Sequence, residues 1–265
     1  MTSIPNPNAP GLEVRLAATA EETLEAQRLR YRIFYEEMGA VADAETAAQR
    51  LDRDRYDAWC DHLLVVDHLA RPGARVVGTY RLLRRSVAVR RGGFYSSGEF
   101  DLSPLLAYPG EVLELGRSCV DSGYRNRAAM QLLWQGIAEY IHVHGIGLLF
   151  GCASLPGTDV DQMRNVLAYL HHEFRAPGDL CPRALDARYV PMDVLPAEAV
   201  DRSKAWRELP PLLRGYLRIG GRIGDGAVVD YEFGTTDVCL VLDTEGMSTR
   251  YRRHYGELVA PRAEL

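Results

Sequence analysis

The sequence predicts an α+β fold, a mixed α/β layered domain in which helices cover a central sheet. Short apolar runs rich in β-branched residues alternate with segments whose apolar residues recur at helical spacing. Their order is helix, strands, helix, strand, helix, strand. The composition is globular, 47% hydrophobic and 25% charged over 265 residues, enough for a large domain with a proper core.

Residues 1–11, MTSIPNPNAPG, are rich in Pro and Asn and read as a disordered tail. A helix follows. Thr19 and Glu22 have capping-box spacing, Leu29, Ile33 and Phe34 form one apolar stripe, and Gly39 supplies a stop. Residues 40–61 are acidic and irregular. HLLVVD (62–67), RVVGTYRLL (75–83) and EVLELGR (111–117) read as strands, with a Gly- and Ser-rich stretch at 92–105 between the last two. The strongest helix spans about 126–144, where Met130, Leu133, Trp134, Ile137 and Ile141 share a face. GLLFGCA (147–153) reads as a buried strand and residues 159–173 as a helix. After a Pro- and Arg-rich stretch (177–215), residues 215–243 supply Gly turns and one last strand, and a short helix is expected after 246. The chain thus divides into a tail (1–11), a core (12–195) and a C-terminal extension (196–265) packed on that core.

A net charge of -5 argues against a general nucleic-acid-binding role. The five cysteines are scattered and none has CxxC spacing, so no metal site and no disulfide framework is expected. No signal peptide is visible, and no apolar run approaches the roughly 20 residues that cross a bilayer. A cytoplasmic chain able to touch a membrane surface is expected. GDG (224–226) stands outside any GxGxxG or P-loop pattern, so nucleotide binding has no support.

Five features are candidates for chemistry. Glu114 and Arg117 lie in an otherwise apolar strand, where buried charge is costly unless paired. They form either a structural ion pair or a site. In a regular strand they face opposite ways, and a bulge near Gly116 would bring them together. Arg75, Arg81, Arg84, Arg85, Arg90 and Arg91 form an arginine-rich run, either a solvated face or a dock for an anionic partner. The acids from Asp43 to Asp61 form either a solvated loop or a receptor for a cation, without calcium-loop spacing. YRNRAA (124–129) precedes the long helix, where Arg125 and Arg127 would reinforce a helix N-terminus that binds phosphate. Cys119 and Cys152 offer nucleophiles and His142, His144, His171 and His172 bases, but a Cys in an apolar strand is usually core.

Longer motifs carry a resemblance. GTYRLL (78–83), GGFYSSGEFDL (92–102), ELGRSCV (114–120), LLWQGI (132–137), LFGCASLPG (149–157), LPPLLRGYLRIGGRIGDGAVVD (209–230) and TTDVCLVL (235–242) resemble the bacterial ornithine N-acyltransferases of ornithine-lipid synthesis, often called hemolysin-like. The resemblance covers about residues 12–258. That family is GNAT-related and similar to the acyl-homoserine-lactone synthases, which implies a GNAT-like fold with a mostly antiparallel sheet. It also implies transfer of a 3-hydroxyacyl chain from acyl carrier protein to the α-amine of L-ornithine, with no cofactor beyond the donor's own acyl-phosphopantetheine.

Residue by residue, the resemblance assigns Glu114, Arg117 and Ser118 to catalysis, with Glu114 as base and backbone N–H groups from Gly116 to Cys119 around the oxyanion. It assigns Arg32, Phe34, Asp54, Asp57, Asp61 and Arg81 to the substrates, and the basic residues Arg84, Arg85, Arg125 and Arg127 are expected, from their charge, to receive the acidic carrier protein. The CoA-using relatives have a Gly-rich loop where this chain has DSGYRNRAA, which favours a carrier-protein donor. The product is a membrane amphiphile, so peripheral contact with the inner membrane is expected. Competing readings are the same chemistry on glutamine, glycine or another amine, a lactone-type synthase, and a lipid-binding protein without enzymatic activity.

Overall fold

The computed structural model describes residues 1–245 apart from Thr2, Pro7, Asn8 and Asn126; of Arg127 only the backbone is described. The helix expected after 246 lies outside the described residues. β1 (Ile4–Pro5) and β2 (Leu12–Leu16) open the chain, followed by α1 (Ala20–Tyr31), a π-helical turn (Arg32–Glu37) and α2 (Ala44–Gln49). β3 (Asp61–Asp67), β4 (Val76–Arg84), α3 (Arg85–Ala88), β5 (Phe100–Asp101), α4 (Ser103–Leu106), β6 (Glu111–Val120), α5 (Arg127–His144) and β7 (Ile146–Pro156) follow. Then come α6 (Arg164–Phe174), β8 (Arg183–Ala184), α7 (Arg202–Glu208), α8 (Pro211–Arg218), β9 (Arg222–Asp230) and β10 (Thr235–Asp243).

Among the described residues the strands form a ten-stranded sheet in the order β1-β2-β3-β4-β6-β7-β10-β9-β8-β5. Its pairings are antiparallel except β6–β7 and β8–β9. α1 begins where the sequence predicts: Thr19 caps it by accepting from the Glu22 amide, and Glu22 accepts from the Thr19 amide in return. β3 shows why the strand runs read as continuously apolar. Leu63 and Val65 pack with α5, and the alternate residues Leu64 and Val66 pack with α1, so both faces are covered.

Three expectations change. The tail is not wholly free of structure, because Ile4 and Pro5 pair with Val14 and Glu13. The block 215–243 holds two strands rather than one, since Gly-rich β9 hides its period. The C-terminal part is not an appendage: β10 pairs β7 along nine residues and lies inside the sheet, which leaves no structural seam at 195. Among the described residues no helix is long and apolar enough to cross a membrane.

Candidate active site

β6 and β7 pair in parallel only from Glu111 to Glu114. Beyond that, β6 continues along β4 while β7 continues along β10, and the two strands part. The gap opens a cavity of about 600 Å³. Gly151 stands at its apex: a Cβ there would lie 2.2 Å from the Leu115 carbonyl oxygen, so only glycine permits the approach.

The cavity passes through the sheet. On the α5 and α8 face its wall is apolar, with Leu115, Val120, Met130, Leu213 and Tyr216. On the α1 face it carries Arg81, Glu114, Arg117, Cys152 and Asp237, with Phe34 and Phe233 beside them.

Glu114 and Arg117 share that charged face because β6 is bulged. Thr79 lies opposite Cys119 but Arg81 opposite Gly116, so β6 carries one extra residue. Arg117 takes the left-handed conformation (φ 49°) and Gly116 does not, which puts the irregularity one residue later than the glycine predicts. Side chains of Val112, Glu114, Arg117 and Cys119 then face α1 and α3, while Leu113, Leu115 and Val120 face α5. Ser118, in hydrogen-bond contact with Tyr80, also turns to the α5 side of the gap.

Glu114 is buried and accepts hydrogen bonds from the Tyr95 amide (3.0 Å) and the Ser96 amide (2.7 Å), one on each oxygen. Burial raises its carboxyl above the ordinary range, and the Ser96 and Tyr95 amides offset only part of that. Arg117 is clamped between the rings of Tyr95 and Phe233, each centroid 4.8 Å from its guanidinium carbon. Its contacts with Asp52 (3.3 Å) and Asp54 (3.6 Å) are long, and its Nε makes no hydrogen bond. The guanidinium also interacts with the Tyr95 side chain, and it lines the cavity.

Behind Arg117 lies a charge cluster that the sequence reading missed. Arg30 is fully buried, bonded to Asp52 (2.6 Å) and bidentate to Asp57 (2.7 and 2.9 Å). Arg81 pairs with Asp54 (2.7 Å). Three arginines (30, 81, 117) and three aspartates (52, 54, 57) neutralise one another. Burial alone would raise the Asp57 carboxyl, but Arg30 outweighs it and holds it well below the usual range. The signal was present: Arg30 falls on the apolar stripe of α1, between Leu29 and Ile33.

The remaining candidates disperse. Asp57 and Asp54 are spent on arginines, and Asp61 accepts from the Tyr140 hydroxyl (2.6 Å), so none of the three lines the cavity. Arg32 is half-exposed and paired with Asp121. Arg84 contacts His144 (3.3 Å), and Arg85 donates to the carbonyls of Leu106, Tyr108 and Gly110. Both stand beside the start of β6, whereas Arg125 lines the cavity near its end, and a ten-residue strand is about 30 Å long. The expected carrier-protein dock is therefore split. For Arg127 the side chain lies outside the described residues.

Burial pushes the Cys119 thiol up to about 12 and Cys152 well above its ordinary value, so neither is a ready thiolate. None of the four candidate base histidines lines the cavity. Two groups of described residues offer three ligand atoms to a metal: His171, His172 and Asp193 near the surface, and Glu99, Cys152 and Asp237 at the cavity.

Residues 29–135 match the acetyltransferase (GNAT) domain family. Over 249 residues the chain is 47% identical to the L-ornithine N(alpha)-acyltransferase of Rhizobium meliloti (strain 1021), covering 92% of this chain and 84% of that one. The chain belongs to the L-ornithine N(alpha)-acyltransferase family. The protein of the same name from Brucella abortus (strain 2308) is 47% identical, covering 92% and 89%. Among solved structures, the AHL synthase LasI is 16% identical with a TM-score of 0.48, covering 92% of this chain and 95% of that one. The protein is thus an acyltransferase with a GNAT-like fold.

Proposed function

We propose that the chain transfers a 3-hydroxyacyl group from acyl carrier protein to the α-amine of L-ornithine, giving the lyso-ornithine lipid and free carrier protein. One observation carries this reading: the cavity crosses the sheet, apolar toward α5 and α8 and charged toward α1. An acyl chain fits the first side and an amino acid the second, so the two reactants meet between the parted strands.

The thioester is already activated, so no covalent enzyme intermediate is required. The amine nitrogen attacks the thioester carbonyl carbon, the carbon–sulfur bond breaks, and the pantetheine sulfur leaves to be protonated. Glu114 takes the ammonium's proton, directly or through a water, and burial makes it a stronger base than an ordinary carboxylate. Arg117, whose guanidinium lines the cavity, pairs with the α-carboxylate. Backbone amides of β6 beyond Glu114 have no ladder partner on β7 and are available to the oxyanion.

The loop after β6 supports a carrier-bound donor. Its amides at Asp121, Gly123 and Tyr124 already bond to Val77, to the Asp121 side chain and to the Asp121 carbonyl. Few remain for the pyrophosphate of CoA, whereas a carrier arm brings a single phosphate, which Arg125, paired with Glu37 at the cavity, would meet by exchanging that partner. Because the product is a membrane amphiphile, its delivery to the inner-membrane surface follows from the same reading.

The test is direct. Purified protein is given one 3-hydroxyacyl chain as the carrier-protein thioester and as the CoA thioester, with ornithine, glutamine or glycine. Mass spectrometry is expected to find N-acylornithine, formed faster from the carrier. Glutamine or glycine used in preference would overturn the acceptor, and CoA used in preference would overturn the donor.

A further inference from the structure

The charge cluster around Arg30 is neutral, so it holds no spare anion for the second ammonium of a diamino acid. The opposite wall of the same cavity does. Asp237 of β10 is only 5% exposed and lines the cavity. The alternate residues Cys239 and Val241 lie in the core cluster that contains Val112 and Phe150, which puts Asp237 on the face that carries Glu114. It accepts from the Thr235 hydroxyl (2.9 Å) and is in hydrogen-bond contact with the Ser154 side chain. Among the described residues no cation lies within ion-pair distance of it, although isolated buried carboxylates are costly.

Its neighbours deepen the negative charge. Glu99, also buried, is close enough to Asp237 and to Cys152 (3.3 Å) for the three to share one ligand, and Asp230 lines the cavity as well. Arg188 approaches Glu99 at 3.6 Å, and Arg117 acts on Asp237 from beyond ion-pair distance. Burial raises the Asp237 carboxyl, with Asp230 adding to it, and burial together with Asp237 pushes Glu99 up to about 7. A bound ammonium would reverse both shifts.

We propose that Asp237, backed by Glu99 and Asp230, receives the side-chain ammonium of the acceptor and so selects a diamino acid over a neutral one. This rests on the ornithine reading above. Glu114 and Asp237 flank β7 on opposite sides, opposite Phe150 and Ser154 respectively, with the cavity between them. Both side chains lean over the same face of the cavity, so the acceptor's α-amine lies toward the base and its side-chain ammonium toward Asp237. Arg117 fixes the carboxylate between these groups.

L-norvaline has the same carbon skeleton as ornithine but lacks the terminal amine, so the ratio of kcat/KM for ornithine to that for norvaline reads what that amine contributes. Wild type is expected to favour ornithine by on the order of ten- to a hundredfold, the worth of one charge-assisted bond. In Asp237→Asn that ratio is expected to collapse toward one, chiefly through KM for ornithine, and Asp237→Glu is expected to restore part of it. A wild-type ratio near one overturns the proposal without any variant. So does an Asn variant that loses both acceptors equally, or one that keeps the wild-type ratio. An ornithine preference abolished by EDTA would give the cluster to a metal and overturn it too. No turnover of ornithine by wild type with either donor would instead defeat the reading on which this one rests.

Discussion

Glu114→Gln separates a base from an anchor. In the native protein both carboxylate oxygens accept backbone amides from the loop at Tyr95 and Ser96. The glutamine keeps one acceptor and turns its own N–H₂ toward the other amide. One hydrogen bond to a charged group is lost, worth about 1.5–3 kcal/mol, while the cost of burying a charge is relieved. The net destabilisation should be about 1–3 kcal/mol, or roughly 2–12 °C in Tm for a domain of this size. The variant therefore stays folded at assay temperature. Loss of a general base costs about 10²- to 10⁴-fold in kcat, far more than that destabilisation explains.

The assay is kcat and kcat/KM for ornithine at saturating donor, followed across pH, with Tm measured on the same sample. Glu114 acts only when ionised, and burial sets its pKa above the ordinary carboxylate range. Wild-type kcat/KM should thus fall as pH drops through that raised value, and Glu114→Gln should lack this acid limb. A folded variant with kcat within about threefold of wild type, or with the acid limb unchanged, refutes the assignment.

Two further outcomes follow from the same geometry. Arg30→Met leaves Asp52 and Asp57 buried without their partner; breaking a buried pair costs about 3–5 kcal/mol, so calorimetry should show Tm lower by roughly 6–20 °C. A loss of a degree or two would mean that Arg81 and Arg117 already neutralise the cluster. Gly151→Ala forces a methyl against the Leu115 carbonyl, where backbone must move; a cost of about 1–3 kcal/mol and a loss of acyl transfer are expected, and a variant normal in both would show that the strands part without a glycine.

Much of the fold was legible because it is written locally. The capping box at Thr19 and Glu22, the apolar face of α5 and the strand runs each depend on residues a few positions apart. The charges in EVLELGR were legible as anomalies for the same reason. Asp237, a charge inside TTDVCLVL, gave the same signal and went unread.

The sequence by itself determined the layered α/β domain, the family, and the presence of Glu114 and Arg117 in a strand that ought to be apolar. Only the tertiary structure decided which charges are free. Arg30 reaches partners 22 and 27 residues away, and that pairing turns Asp57 from a candidate receptor into a buried counter-ion. Tertiary context also put the left-handed residue at Arg117, where no glycine marks it, because Tyr95, Phe233, Asp52 and Asp54 hold the side chain there. Charge is neutralised across space, between elements whose separation in sequence carries no period, and for that reason the site was assembled by the fold rather than spelled by any one segment.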